Sequence, residues 1–133
     1  MENVMTQVSL TRRAALFAAA SLALVSPAQA EPAVVTREQV KAGLADGSIV
    51  LIDVREQSEF DAGHIAGAVL MPMSSFDPAK LPNSDGKRIV FYCHSGRRAG
   101  LAAAATEAAG RTDTSVYAGS MSDWLAAGEP VEK

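Results

Sequence analysis

The sequence predicts an α/β domain built on a parallel sheet covered by helices. Three observations carry this. Short runs rich in β-branched and aromatic residues alternate with helical patterns, the arrangement that parallel sheets require. The helical patterns bring their own start and stop residues. Beyond a leader-like start, the remaining chain has the length of one small domain.

The elements succeed one another along the 133-residue chain. Val34 centres a first, weakly patterned strand. Thr36 is placed to cap a helix running from Arg37 to Asp46, and Gly47 to end it. Ile49 to Val54 forms a strand, and Gln57 to Ala62 a short helix with Ser58 as its cap. Ala68 to Met71 is a further strand; Ser74 to Leu81, interrupted by Pro78 and followed by Pro82, is a loop or single turn. Arg88 to Tyr92 is a strand, and Arg97 to Ala109 is an alanine-rich helix stopped by Gly110. Ser115 to Tyr117 completes the sheet, and Ser122 to Ala127 makes the last turns of helix.

Residues 1–30 have the pattern of an export signal: Arg12 and Arg13, an apolar stretch from Ala14 to Val25, and the small-residue ending AQA before Glu31. LTRRAALF resembles the twin-arginine export motif; an ordinary secretory signal with two arginines at its positive end is the other possibility. Either implies a periplasmic or secreted protein cleaved near Ala30. The apolar stretch is shorter than the roughly 20 residues that span a bilayer, so no stable membrane anchor is expected after processing. Residues 31–133 then form the domain. Removing Arg12 and Arg13 from 12 basic residues, and Glu2 from 15 acidic ones, leaves 10 against 14. That acidic balance argues against nucleic acid or an anionic membrane as partner.

Cys93 is the only cysteine, so no internal disulfide is available to it. In an oxidising compartment a single thiol is either buried and inert or present for its chemistry. Connectivity favours chemistry, because parallel strand-loop-helix units gather functional groups at the carboxyl ends of their strands. Cys93 follows RIVFY at one such end; Asp53 and Arg55 stand at another, at the close of LIDV. From Cys93 the backbone must turn through His94, Ser95 and Gly96 and enter a helix whose first amides lack intrahelical partners. Those N–H groups and the positive end of the helix favour an anion at the centre of the turn, where the Cys93 thiolate sits. A lowered thiol pKa is the consequence. Arg97 and Arg98 add positive charge. Asp53 is placed to orient the site by accepting backbone hydrogen bonds, and Arg55 and Glu59, four apart, to form an ion pair. His94 is an exposed loop imidazole, His64 a structural hydrogen-bonding residue, and Trp124 a packing residue. The two histidines are too isolated to hold a metal.

LIDVREQSEFDAGHIAGAVLMP, FYCHSGRRA and AGSMSDWLAAGEPV together resemble, in order, the amino-terminal signature, cysteine loop and closing segment of rhodanese-like domains. The resemblance implies the rhodanese-like fold, a parallel sheet with helices on both faces. It also implies a sulfurtransferase of thiosulfate type that carries a sulfane sulfur as a persulfide on Cys93. Substrate would be held by His94, Ser95, Gly96, Arg97, Arg98 and Ala99, with Asp53, Arg55 and Glu59 in support and no metal or organic cofactor. Its partners would be a small anionic sulfur donor and a thiophilic acceptor such as cyanide, a thiol or a protein thiol. A non-enzymatic binding or protein-to-protein sulfur-relay module is the alternative on the same loop. A cysteine-dependent phosphatase or arsenate reductase is a more distant one, since those need five residues between cysteine and arginine, whereas four separate Cys93 from Arg98 and the next position is Ala99.

Two departures from the family pattern stand out. Ala99 occupies a place where many single-domain members have Ser or Thr, removing one hydroxyl from the sulfur, which Ser95 is placed to replace. Ser120 follows Gly119 where a second glycine is usual, a change expected to affect a turn more than the chemistry.

Amino-terminal sequencing of the exported form is expected to begin at Glu31, and a product retaining the apolar stretch would contradict the leader assignment. Replacing Arg12 and Arg13 together by lysine is expected to block export only on the twin-arginine route.

Overall fold

A computed structural model describes residues 32–133, so the proposed leader lies outside the described residues. The strands are β1 (Ala33–Val35), β2 (Ile49–Asp53), β3 (Val69–Leu70), β4 (Arg88–Tyr92) and β5 (Thr114–Tyr117). All pair in parallel, in the order β1-β5-β4-β2-β3. The helices are α1 (Arg37–Asp46), α2 (Gln57–Ala62), α3 (Arg97–Ala108) and α4 (Ser120–Ala126).

Residue alternation along the strands divides the core between the two faces of the sheet. Ile89, Phe91 and Cys93 join Ile52, Val54 and Val116 in a cluster covered by Ala99, Ala102 and Ala103 of α3. Val90 and Tyr92 point the other way, joining Leu51 and Tyr117 under Val40 of α1 and Met121 and Trp124 of α4. The expected cover on both faces is therefore present. Alanine on the inner face of α3 lets that helix lie close to β4 and β5, and Trp124 packs as expected, its indole N–H donating to Pro130 O at 2.9 Å.

Local signals explain most boundaries. Thr36 Oγ1 accepts from Gln39 N at 3.2 Å while Gln39 Oε1 accepts from Thr36 N at 2.8 Å, a reciprocal cap on α1. Gly47 closes that helix at φ 73°, in the left-handed region where glycine carries no steric penalty. The cap expected from Ser58 is absent: α2 begins at Gln57, which puts Ser58 inside the helix, and Glu59 Oε2 instead accepts the Glu56 N–H at 2.9 Å. The strand expected over Ala68 to Met71 shortens to two residues, because Ala68 N turns back to Ile65 O at 3.1 Å. Ser74 to Leu81 lies among two short 3₁₀ turns, Met73–Ser75 and Pro78–Lys80. The last helix starts two residues earlier than expected, at Ser120.

The sheet order places the site. The connection through α2 carries the chain from β2 outward to β3, whereas α3 carries it from β4 in the opposite direction to β5. The reversal falls between β2 and β4, and in open α/β sheets such a switch point is where sites form at the carboxyl ends of the strands. Tyr92 pairs with Asp53 at that point, and Val54 N donates to Tyr92 O at 3.0 Å. Cys93 and Arg55 therefore follow the adjacent ends of β4 and β2 at that point.

The expected ion pair between Arg55 and Glu59 does not form. Arg55, 5% exposed, turns back to the fully buried Asp53, with Nη2 to Oδ2 at 2.8 Å, and the same nitrogen reaches Gly63 O at 2.8 Å. The guanidinium also lies 5.7 Å from the centre of the Tyr92 ring. Asp53 Oδ1 accepts the Arg55 backbone N–H at 2.9 Å, the backbone bond expected of it. Only Val54 separates Asp53 from Arg55, so the tight turn after β2 favours the shorter pair over one across a helical turn. At the end of α2, His64 stacks on Phe60 with 3.6 Å between ring centres, and its backbone exchanges hydrogen bonds with Glu132.

A buried charge left alone costs far more than the pair contributes. Asp53→Ala is expected to lower unfolding free energy by about 3–5 kcal/mol, read from the urea midpoint at unchanged slope. A loss below about 1 kcal/mol would mean that water reaches Arg55.

Candidate active site

Alternation along β4 aims Cys93 at the face covered by α3, so its side chain meets the start of that helix from beneath. The turn between strand and helix runs from Cys93 through His94, Ser95 and Gly96. Gly96 makes the corner at φ 102°, and a β-carbon there would lie 2.5 Å from Ala118 O. Both conformation and space thus demand glycine at this position. The Gly96 N–H donates to Cys93 Sγ at 3.1 Å.

Burial pushes the Cys93 thiol up; the backbone N–H groups of Ala99, Gly96 and Ser95, with the Ser120 hydroxyl, together pull it down by more. The thiol ends below its ordinary value, as expected from the turn. Ala99 is fully buried, and what it brings to the sulfur is its amide. Ser95 is exposed, and it too contributes through its backbone.

The two arginines occupy different positions. Arg98, half-buried, forms two hydrogen bonds to Glu59, Nη1 to Oε2 at 2.8 Å and Nη2 to Oε1 at 2.9 Å. These bonds hold the Glu59 carboxyl down to about 2, and Glu59 together with the Cys93 thiolate keeps Arg98 charged. The pair ties α2 to α3. Arg97 is exposed and forms no ion pair among the described residues. His94 is likewise exposed, with Nε2 3.4 Å from the Ser122 hydroxyl. Among the described residues, no group of three His, Cys, Asp or Glu side chains could hold a metal ion.

The sequence places Ser120 in a turn, and the structure adds a polar role. Ser120 is fully buried, and its Oγ accepts the Cys93 N–H at 3.1 Å, donates to Tyr117 O at 2.8 Å, and lies 4.0 Å from Cys93 Sγ. It sits at φ 54°, a left-handed conformation that costs a non-glycine residue roughly 1 kcal/mol. The neighbouring amides of α4 complete the grip: Met121 N donates to Cys93 O at 3.0 Å and Ser122 N to His94 O at 2.9 Å. The signal in the sequence is the departure from paired glycines at Gly119 and Ser120, which reveals a substitution without revealing where its hydroxyl points.

A buried sulfur ringed by amides is poised to ionise and to attack a small electrophile. The rate of alkylation against pH is expected to show a midpoint below the free-cysteine value of about 8.5. A midpoint at or above it would mean that the amides are not directed at the sulfur.

Comparison with known proteins agrees with this geometry. The model of the rhodanese-like domain matches residues 36–127. A yeast protein, the thiosulfate:glutathione sulfurtransferase of Saccharomyces cerevisiae, is 37% identical over 99 residues, covering 65% of this chain and 71% of its own. The human thiosulfate:glutathione sulfurtransferase is 30% identical over 105 residues, covering 68% of this chain and 91% of its own. Among solved structures, the human single-domain sulfurtransferase TSTD1 superposes with a TM-score of 0.62 at 30% identity, covering 70% of this chain and 95% of that one. The family match takes in every strand but β1, together with the whole cysteine turn and α4, and the chain belongs to the rhodanese-like domain family.

Proposed function

We propose that this protein is a rhodanese-type sulfurtransferase that carries sulfane sulfur as a persulfide on Cys93. The observation that carries the proposal is the buried Cys93 sulfur accepting the Gly96 N–H at 3.1 Å, at the start of a helix and with its thiol pulled below the ordinary value. The relatives named for transfer from thiosulfate to glutathione support the substrate class, a sulfane-sulfur anion as donor and a thiol as acceptor.

The chemistry is a double displacement. The Cys93 thiolate attacks the outer sulfur of thiosulfate, a sulfur–sulfur bond forms to Cys93, and the donor's own sulfur–sulfur bond breaks with its electron pair leaving on sulfite. The acceptor, cyanide or a thiolate, then attacks the outer sulfur of the persulfide, and the pair of that bond returns to Cys93 as thiolate. Charge is conserved in each step. No metal or organic cofactor enters. The amides of Ser95, Gly96 and Ala99 stabilise the anionic sulfur before and after transfer.

Arg97 is the positive charge left free to draw in a dianionic donor, since Arg98 is held by Glu59. Arg98 acts chiefly by tying α3 to α2 through Glu59 and by favouring the thiolate with its charge. The spacing of the turn supports sulfur over phosphate as cargo, since four residues and not five lie between Cys93 and Arg98. The leader-like residues 1–30 support an envelope location. In a relay role the same persulfide would pass only to a protein thiol, and turnover with small acceptors separates the two.

Cys93→Ser is expected to abolish persulfide formation, seen as loss of the one-sulfur mass increment after thiosulfate treatment, and transfer to cyanide or glutathione, with the fold retained. Transfer at the wild-type rate would refute the mechanism. Arg97→Ala is expected to raise the KM for thiosulfate up to about tenfold at low salt, with the effect shrinking as ionic strength rises.

A further inference from the structure

We propose that Ser120 is a positioning residue for the Cys93 sulfur, supplying from α4 the hydroxyl that Ala99 does not supply from α3. The inference rests on the reading of Cys93 as the sulfur-carrying nucleophile and names a residue that fixes its reactivity.

A serine hydroxyl has one proton to donate and two lone pairs to accept with. In Ser120 one lone pair takes the Cys93 N–H at 3.1 Å, and the proton goes to Tyr117 O at 2.8 Å. The sulfur, at 4.0 Å, is the second acceptor within reach of the same rotor. Rotation of that one proton from Tyr117 O toward the sulfur lets the hydroxyl donate from α4, while the amides of the turn donate from α3.

The same segment holds the Cys93 backbone at both ends. Ser120 Oγ binds its N–H and the Met121 amide binds its C=O at 3.0 Å, so the angle at which the side chain enters the amide ring is set from α4. Glycine at position 120 would leave the Cys93 N–H buried without that partner. The chain instead keeps a side chain at φ 54°, where glycine would sit without strain, and directs its only side-chain polar atom to the cysteine. The hydroxyl also helps lower the thiol.

The charged group facing the sulfur from α3 is Arg98, itself paired with Glu59 of α2. His94, beside the cysteine, is exposed. None of these changes in the variants needed for the test.

Two variants separate the hydroxyl from the backbone. Ser120→Ala removes the oxygen and keeps the unfavourable φ; Ser120→Gly removes the oxygen and relieves the strain, so the glycine form keeps the test usable where the alanine form folds poorly. Both are measured by iodoacetamide alkylation against pH. The expected result is a thiolate midpoint raised in both by about half a unit, roughly a threefold fall in thiolate fraction below the midpoint. A midpoint unchanged or lowered in either variant overturns the proposal and leaves Ser120 a turn residue. Alkylation needs no sulfur transfer, so failure of wild type to load a persulfide would defeat the functional reading while leaving this measurement intact.

Discussion

A sulfur buried at the end of a central strand can hold negative charge only if the protein supplies the hydrogen bonds that water would otherwise give. Much of the site follows from that constraint. The turn from β4 to α3 must be short enough for the first helical amides to reach back to Cys93, so it is brief and has a glycine corner. Ala118 must approach that corner closely, which β5 permits because it lies beside β4. Ala99 must be small enough to bury fully beneath the helix while presenting its N–H. The α4 side of the cysteine is closed by Ser120 and the amides that come after it.

The charges around the cysteine turn and the end of β2 are arranged under the same constraint. Asp53 neutralises Arg55 in the interior, and Glu59 neutralises Arg98 at the half-buried rim. Each pair also spans structure: one locks the turn after β2, the other joins α2 to α3. An acidic domain can thus keep a positive local field beside its nucleophile, because the exposed Arg97 next to the turn has no ion pair among the described residues. The inner charges are cancelled in pairs while the outer one stays unpaired among the described residues.

Much of this was legible in the sequence, for identifiable reasons. The Thr36 cap, the Gly47 stop and the turn at Gly96 depend on residues close in the chain, and each was readable from local chemistry. So was the aim of the amides at Cys93, since a strand entering a helix leaves few alternatives. The ion pairs were not. Arg55 and Glu59 have helical spacing, yet the partners chosen are Asp53, two residues away, and Arg98, 39 residues away. The first is decided by the turn and the second by the sheet order. Ser58 looked like a cap because of its residue type, but the start of α2 is fixed by the chain direction out of β2. Ser120 was visible as an irregularity; its meaning required knowing that α4 begins directly against Cys93.

The pairing of β1 has a consequence for how the molecule assembles. Its partner in the sheet is β5, with Ala33 opposite Ser115 and Val35 opposite Tyr117, and no other strand of the described residues lies beside it. Among the described residues β1 therefore gains no ladder bond until β5 lies beside it. Such distant closure is entropically expensive and slow to nucleate. A growing or emerging chain cannot complete its sheet from the amino-terminal side, and the amides of α4 that grip the cysteine arrive only after β5. The surroundings of Cys93 are thus complete only once β5 and α4 are in place, so the site and the sheet depend on the same carboxyl-terminal elements.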